Sequence, residues 1–252
     1  MDNNIICRQT PRAEEAVLTM KRYEFKYVMT PDQTEALKEK LKGFMEPDRY
    51  GLTSIASVYY DTFDFRLIRA SVEKPEFKEK IRLRSYGLAA DDSSEVFLEL
   101  KRKAYGIVYK RRVVTTEKAV GRFFAHEGDV CADGQIAREI AYFRDYYKKL
   151  APSCIVIYDR TAYRQPDGDL RLTIDGDPRF RTSDLNLYTS MEGTPLLPSG
   201  KGSAILEVKV QKALPLWLTA ILDELKIYKS SFSKYGEAYR SEMYKTHNTA
   251  GN

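Results

Sequence analysis

The sequence predicts an α+β fold, in which an antiparallel sheet of eight strands is covered by amphipathic helices. Three observations predict it. Short segments in which polar and apolar residues alternate recur along most of the chain, the period-2 signature of half-buried strands. Two pairs of these segments are joined by tight turns, which only antiparallel neighbours allow. Segments with helical start signals and a 3.6-residue apolar period lie between the strands.

In order, strands are expected at 22–29, 54–60, 78–86, 95–103, 106–114, 154–164, 169–176 and 203–211. Ala104-Tyr105-Gly106 and Pro166-Asp167-Gly168 supply the hairpin turns. Helices are expected at 31–42, 62–69, 116–126, 136–149, 213–225 and 234–246, the first with Thr30 as N-cap and Pro31 at its first position. Residues 181–202 are turn-rich and read as a long loop. The organisation is an arm over 1–20, one domain over 21–246 and a tail over 247–252, without an internal repeat or a linker that would split the chain.

Composition narrows the chemistry. With 252 residues, 43% of them hydrophobic and 31% charged, the chain reads as an ordinary globular protein, and no run of 18 apolar residues suggests a membrane span. The first residues lack the apolar stretch of a secretory signal, so a cytoplasmic location is expected. Cys7, Cys131 and Cys154 are scattered and form no CxxC pair, and His126 and His247 are the only histidines. His-ligated metal centres and serine-hydrolase chemistry have little to build on. Ser199-Gly200-Lys201-Gly202-Ser203 lacks the glycine spacing of a phosphate-binding P-loop and leads into a strand.

Because side chains alternate along a strand, each strand can be sorted into two faces. Glu24 and Lys26 oppose Tyr23, Phe25 and Tyr27; Lys80, Arg82 and Arg84 oppose Ile81 and Leu83; Glu99, Lys101 and Lys103 oppose Leu98 and Leu100. Tyr158, Arg160 and Arg164 share a face, as do Arg171, Thr173 and Asp175, and as do Glu207 and Lys209. In Lys110-Arg111-Arg112 parity allows either Lys110 with Arg112, or Arg111, on the polar side. Such a face can simply be the solvated side of a sheet. This one favours Arg and Lys over Thr, Ser and Gln, and its few carboxylates are not matched to the cations. Turned inward, it would enclose many like charges, which must stay wet and are best neutralised by a polyanion. Parity alone leaves open which face lies inside.

Several phrases, taken in order, resemble one family. They are Tyr23-Glu24-Phe25-Lys26-Tyr27, Val58-Tyr59-Tyr60-Asp61-Thr62, Lys80-Ile81-Arg82-Leu83-Arg84, Leu98-Glu99-Leu100-Lys101-Arg102-Lys103, Lys110-Arg111-Arg112, Tyr158-Asp159-Arg160-Thr161-Ala162-Tyr163, Leu170-Arg171-Leu172-Thr173-Ile174-Asp175, Leu206-Glu207-Val208-Lys209 and Phe232-Ser233-Lys234-Tyr235. The set resembles the VTC domain, the polyphosphate-polymerase branch of the triphosphate tunnel metalloenzymes, over about residues 20–245. The resemblance implies an eight-stranded antiparallel β-barrel with helices outside and the basic face inward. It implies catalytic roles for Arg82, Arg84, Lys101 and Lys209, and phosphate contacts from Lys26, Lys110, Arg112, Arg160, Arg171 and Lys234. It implies a Mn²⁺ or Mg²⁺ ion on Glu207, with Glu24 and Glu99 as further candidate ligands. Ser233 as an N-cap would also start a helix at Lys234, whose free amides favour an anion.

Hydrolase and cyclase relatives open with Glu-x-Glu-x-Lys, whereas this chain reads Arg22-Tyr23-Glu24-Phe25-Lys26. Loss of the first carboxylate suits a polymerase better than a two-metal hydrolase. The expected partners are a nucleoside triphosphate and polyphosphate, with no nucleic acid. A membrane-associated partner subunit would be needed for any coupling to transport. A triphosphatase or tripolyphosphatase, and a non-catalytic polyphosphate or nucleotide binder, are the alternatives.

Overall fold

The computed structural model describes residues 23–73, 75–105, 107–130, 134–166 and 168–243. The expected arm over 1–20 and tail over 247–252 lie outside the described residues, as do Arg22, Cys7, Cys131 and His247. The strands are β1 (Tyr23–Met29), β2 (Glu46–Asp61), β3 (Phe77–Tyr86), β4 (Glu95–Ala104), β5 (Ile107–Thr116), β6 (Ala151–Arg164), β7 (Arg171–Arg181), β8 (Thr194–Pro195), β9 (Ala204–Val210) and β10 (Lys229–Ser230). The helices are α1 (Pro31–Leu41), α2 (Arg66–Val72), α3 (Glu117–Phe124), α4 (Gln135–Tyr147), α5 (Leu216–Glu224) and α6 (Lys234–Ala238), the last followed by a π-helical turn over Tyr239–Met243. None is long and apolar enough to cross a membrane among the described residues.

All strands join one antiparallel sheet in the order β10-β1-β9-β7-β6-β2-β3-β4-β5, with β8 added beside β7. The expected eight-stranded barrel is therefore corrected to a ten-stranded sheet that does not close. The reason lies at the edge of β1, where β10 pairs Ser230 with Lys26 and Lys229 with Tyr27. That short strand occupies the hydrogen-bonding edge that closure onto β5 would need.

The sheet nevertheless curls. Lys101 on β4 feels the charges of Glu24 and Lys26 on β1 and of Glu207 on β9, although β1 and β4 stand near opposite ends of the strand order. The basic face is thus the concave one. On the convex side, Ile81, Leu83, Leu98 and Leu100 pack against Phe123, Ile140 and Phe143 of α3 and α4. Leu172, Leu206 and Val208 pack against Leu37, Leu41, Leu218 and Leu222 of α1 and α5. The expectation that all helices lie outside fails for α6. Tyr59, Cys154, Val156 and Phe180 leave an apolar patch on the concave face, and Tyr235, Ala238 and Tyr239 cover it, with Ile68 of α2 alongside.

Two strands outrun their sequence signals. β2 begins at Glu46, through Pro47, Asp48 and Gly51, because a register shift against β6 between Pro47 and Leu52 absorbs them. Gly51 there has a φ of 57°, which costs a glycine nothing. β7 likewise continues through Gly176 and Pro178 to Arg181, across a shift opposite Ile157 and Asp159. β8, a short strand inside the expected 181–202 loop, and β10 had no usable signal at two residues each.

Candidate functional site

The hairpin of β4 and β5 places Lys110 opposite Lys101 and Arg112 opposite Glu99, so Lys110 and Arg112 share the concave face. Arg111 points the other way and binds Glu139 of α4 at 2.9 Å. The concave cations are then gathered around two carboxylate centres.

Glu99, 2% exposed, is the first centre. Arg82 reaches its Oε2 through Nε at 2.8 Å and Nη2 at 2.7 Å, and Arg84 Nη1 lies 3.8 Å away. Lys110 Nζ, at 2.8 Å, and Arg112 Nε, at 2.7 Å, hold Oε1. Burial alone would raise the pKa of this carboxyl, but Arg82, Arg84 and Lys110 override it and hold it far below the usual range. Tyrosines fix the guanidinium groups: Arg82 donates to the Tyr59 hydroxyl at 3.1 Å, Arg84 to Tyr158 at 3.0 Å and Arg112 to Tyr86 at 2.9 Å.

Asp175 and Glu207 form the second centre, on β7 and β9. Arg160 grips Asp175 with two bonds, of 2.6 and 2.8 Å. Lys234 hydrogen-bonds Asp175 Oδ2 and lies 3.5 Å from Glu207 Oε1, to which Lys26 comes within 3.2 Å. Burial works against ionisation of Glu207, yet Lys234, Lys26, Arg160 and Lys209 keep it well below the ordinary range. Ser233 caps α6 by accepting from the Gly236 amide at 3.3 Å. At five residues, α6 is too short for the expected helix-terminus anion site, and the ammonium group of Lys234 is what reaches the interior.

Other cations on the concave side of the strands have no such partner. Lys80, Lys101, Lys209 and Arg171 make no side-chain hydrogen bond or ion pair among the described residues. Burial, aided by Lys101 and Lys26, lowers Lys80 to about 8. Burial lowers Lys101 too, although the side chain remains open to solvent. A confined but wet groove produces that combination.

Of the residues expected in the site, Lys26, Arg82, Arg84, Glu99, Lys101, Lys110, Arg112, Arg160, Glu207, Lys209 and Lys234 lie on the concave side, with Glu24 beside Lys26 at 3.5 Å and Arg171 exposed at the start of β7. Two members of the site are not among the expected residues, Lys80 and Asp175. Parity put both on the polar faces, and that signal could have found them.

The curled sheet and its cation-rich concave face define a class, a tunnel-type fold. Residues 21–243 match the family model of the VTC domain, and the chain belongs to that family. No curated protein matches the sequence significantly. In structure, the chain is similar to a proposed adenylate cyclase of Bacillus halodurans, with a TM-score of 0.51 at 12% identity over 85% of this chain and 96% of that one. A proposed adenylate cyclase of Vibrio parahaemolyticus gives 0.46 at 9% identity, over 87% and 98%.

Proteins of this tunnel fold generally depend on a divalent metal. Among the described residues, no three His, Cys, Asp or Glu side chains converge to hold one. Both oxygens of Glu99 are in direct hydrogen bonds with cations, whereas those of Glu207 stand 3.2 to 3.8 Å from theirs. Glu207 and Glu24 stand on neighbouring strands, near Lys26. This donor set fits Mg²⁺ or Mn²⁺ bound as such ions usually are, by one or two carboxylates with phosphate oxygens supplying the rest.

Proposed function

We propose that the chain is a polyphosphate polymerase, which transfers the γ-phosphate of a nucleoside triphosphate, ATP by preference, to the end of a polyphosphate chain. The observation that carries this is the excess of concave cations over carboxylates, with Lys80, Lys101, Lys209 and Arg171 left for an outside anion. Phosphoryl transfer asks little covalent chemistry of a protein; it needs in-line placement and neutralised charge. Arg82 and Arg84, held by Glu99 and by tyrosines, are rigid donors for the γ-phosphate. Lys101 and Lys209 face it from the strands opposite. Lys26, Lys110, Arg112, Arg160, Arg171 and Lys234 hold the remaining phosphates. A terminal oxygen of the chain attacks the γ-phosphorus, the bond to the β-bridging oxygen breaks, and the nucleoside diphosphate leaves with that oxygen. Glu207 with Glu24 would hold the metal, which lowers the charge on the phosphates.

Arginine at position 22, in place of the first carboxylate of hydrolytic relatives, supports polymerisation over hydrolysis. Incubation of the purified protein with ATP and Mn²⁺ is expected to yield ADP and a ladder of polyphosphate on a gel. Inorganic phosphate without chain growth would instead show a triphosphatase, and binding without turnover a non-catalytic module.

A further inference from the structure

Two of the sequence phrases, Val58-Tyr59-Tyr60-Asp61-Thr62 and Phe232-Ser233-Lys234-Tyr235, meet inside the fold without either Asp61 or Tyr235 facing the anion site. Asp61 ends β2 and is fully buried. Its carboxylate accepts the backbone amides of Thr62, Leu67 and Ile68 at 2.9, 2.8 and 3.0 Å, and so does the capping of α2 that Phe65 cannot do. Its Oδ2 also accepts from the Tyr235 hydroxyl at 2.9 Å, across 174 residues of sequence. The same hydroxyl shares a 2.7 Å hydrogen bond with Ser153 on β6. The Tyr235 ring stacks on Tyr59, centroids 4.3 Å apart and planes within 12°. Tyr59 in turn accepts from Arg82, a member of the Glu99 centre.

Tyr235 follows Lys234 directly in a helix of five residues. Fixing one ring of so short an element fixes the side chain beside it. We infer that Asp61 and Tyr235 form a latch that holds α6 on the concave face and sets the Lys234 ammonium against Asp175 and Glu207, which makes both of them positioning residues. The inference rests on the reading that this interior binds phosphates. Through the Tyr59 stack, the latch also ties the second carboxylate centre to the first. A phosphate chain spanning both then meets cations at a fixed separation.

The test is the affinity of the full chain for inorganic tripolyphosphate, measured by titration calorimetry in a double-mutant cycle. Tyr235→Phe keeps the ring stack and removes the hydroxyl, while Asp61 retains its three amides. It is expected to weaken binding about tenfold in the parent, and not to weaken it further in a Lys234→Ala background, since the latch acts through that ammonium. A purely structural tyrosine would give the same loss in both backgrounds, and that result, or no loss in either, overturns the latch while leaving phosphate binding intact. Asp61→Asn, which keeps an oxygen for the α2 amides, is expected to follow Tyr235→Phe; if neither variant folds, the pair is a folding element and the proposal falls. Binding by the parent without polymer formation would remove the polymerase reading alone. No binding by the parent would remove both.

Discussion

At the scale of the residue, Tyr59 and Lys80 are two buried groups whose proton equilibria are brought close to physiological pH. Burial would push the Tyr59 phenol up, but Arg82, Lys80 and Arg84 pull it down to about 8. Burial brings the Lys80 ammonium down to the same value. A polyanion in the groove opposes both shifts: it stabilises the ammonium form of Lys80 and destabilises a tyrosinate at Tyr59. Both pKa values rise on binding, so protons are taken up. Calorimetric titration with tripolyphosphate near pH 8, repeated in buffers of different ionisation enthalpy, is expected to show net proton uptake that disappears well below pH 7, where both groups are already protonated. Because the terminal phosphates of the ligand also titrate in this range, the uptake is read as the difference between the parent and a Lys80→Met, Tyr59→Phe variant, and no difference would mean that neither group feels the ligand. Residue identity on the concave face was largely readable from parity, because a strand shows its two faces directly in the sequence. What parity could not give was the centres themselves. That four cations converge on Glu99, and that Asp175 joins Glu207, depends on which strands become neighbours, and Lys110 against Arg111 was settled only by the β4–β5 register.

At the scale of the element, helices with chemical start signals were the most legible. Thr30 and Pro31 mark α1, and the structure shows a full capping box there, Thr30 accepting from the Gln33 amide at 3.3 Å and the Gln33 side chain accepting from the Thr30 amide at 3.0 Å. Gln33 also donates to the carbonyls of Leu225 and Lys226 after α5, so the cap joins two helices that cover the same part of the sheet. Thr30→Ala is expected to cost about 1 kcal/mol, read as a lower denaturant midpoint at unchanged slope. α2 was legible in kind and wrong in place. It was expected from 62 and begins at Arg66, because its amides are capped from Asp61, outside the helix, and Phe65 at its start adopts a left-handed φ of 56°. α6 was expected to run to 246; its α-helical part stops at Ala238, where the π-helical turn takes over. Strand ends were the least legible, since Pro47, Gly51, Gly176 and Pro178 signal stops that register shifts overcome.

At the scale of the whole molecule, the curled sheet gathers positive charge that its own carboxylates do not balance. Repulsion among Lys80, Lys101 and Lys26 works against the folded state, and an anion seated among them relieves it. Tripolyphosphate is therefore expected to raise the melting temperature in proportion to the logarithm of its concentration, with the rise shrinking as ionic strength increases. A rise insensitive to salt would place the ligand elsewhere. The open sheet was not legible at all, because β10 is two residues long and acts only by occupying an edge.

The bond between Lys234 and Asp175 joins positions 59 residues apart, and it bears on how the protein is made. A ribosome delivers β7, and then β9, before it delivers α6. Until then the nascent chain carries Asp175 and Glu207 without the ammonium group that later sits between them, and the apolar patch of Tyr59, Val156 and Phe180 lies uncovered. The convex layer of α3 and α4 can assemble during synthesis, while the inner surface waits for the segment that both covers it and completes its charge.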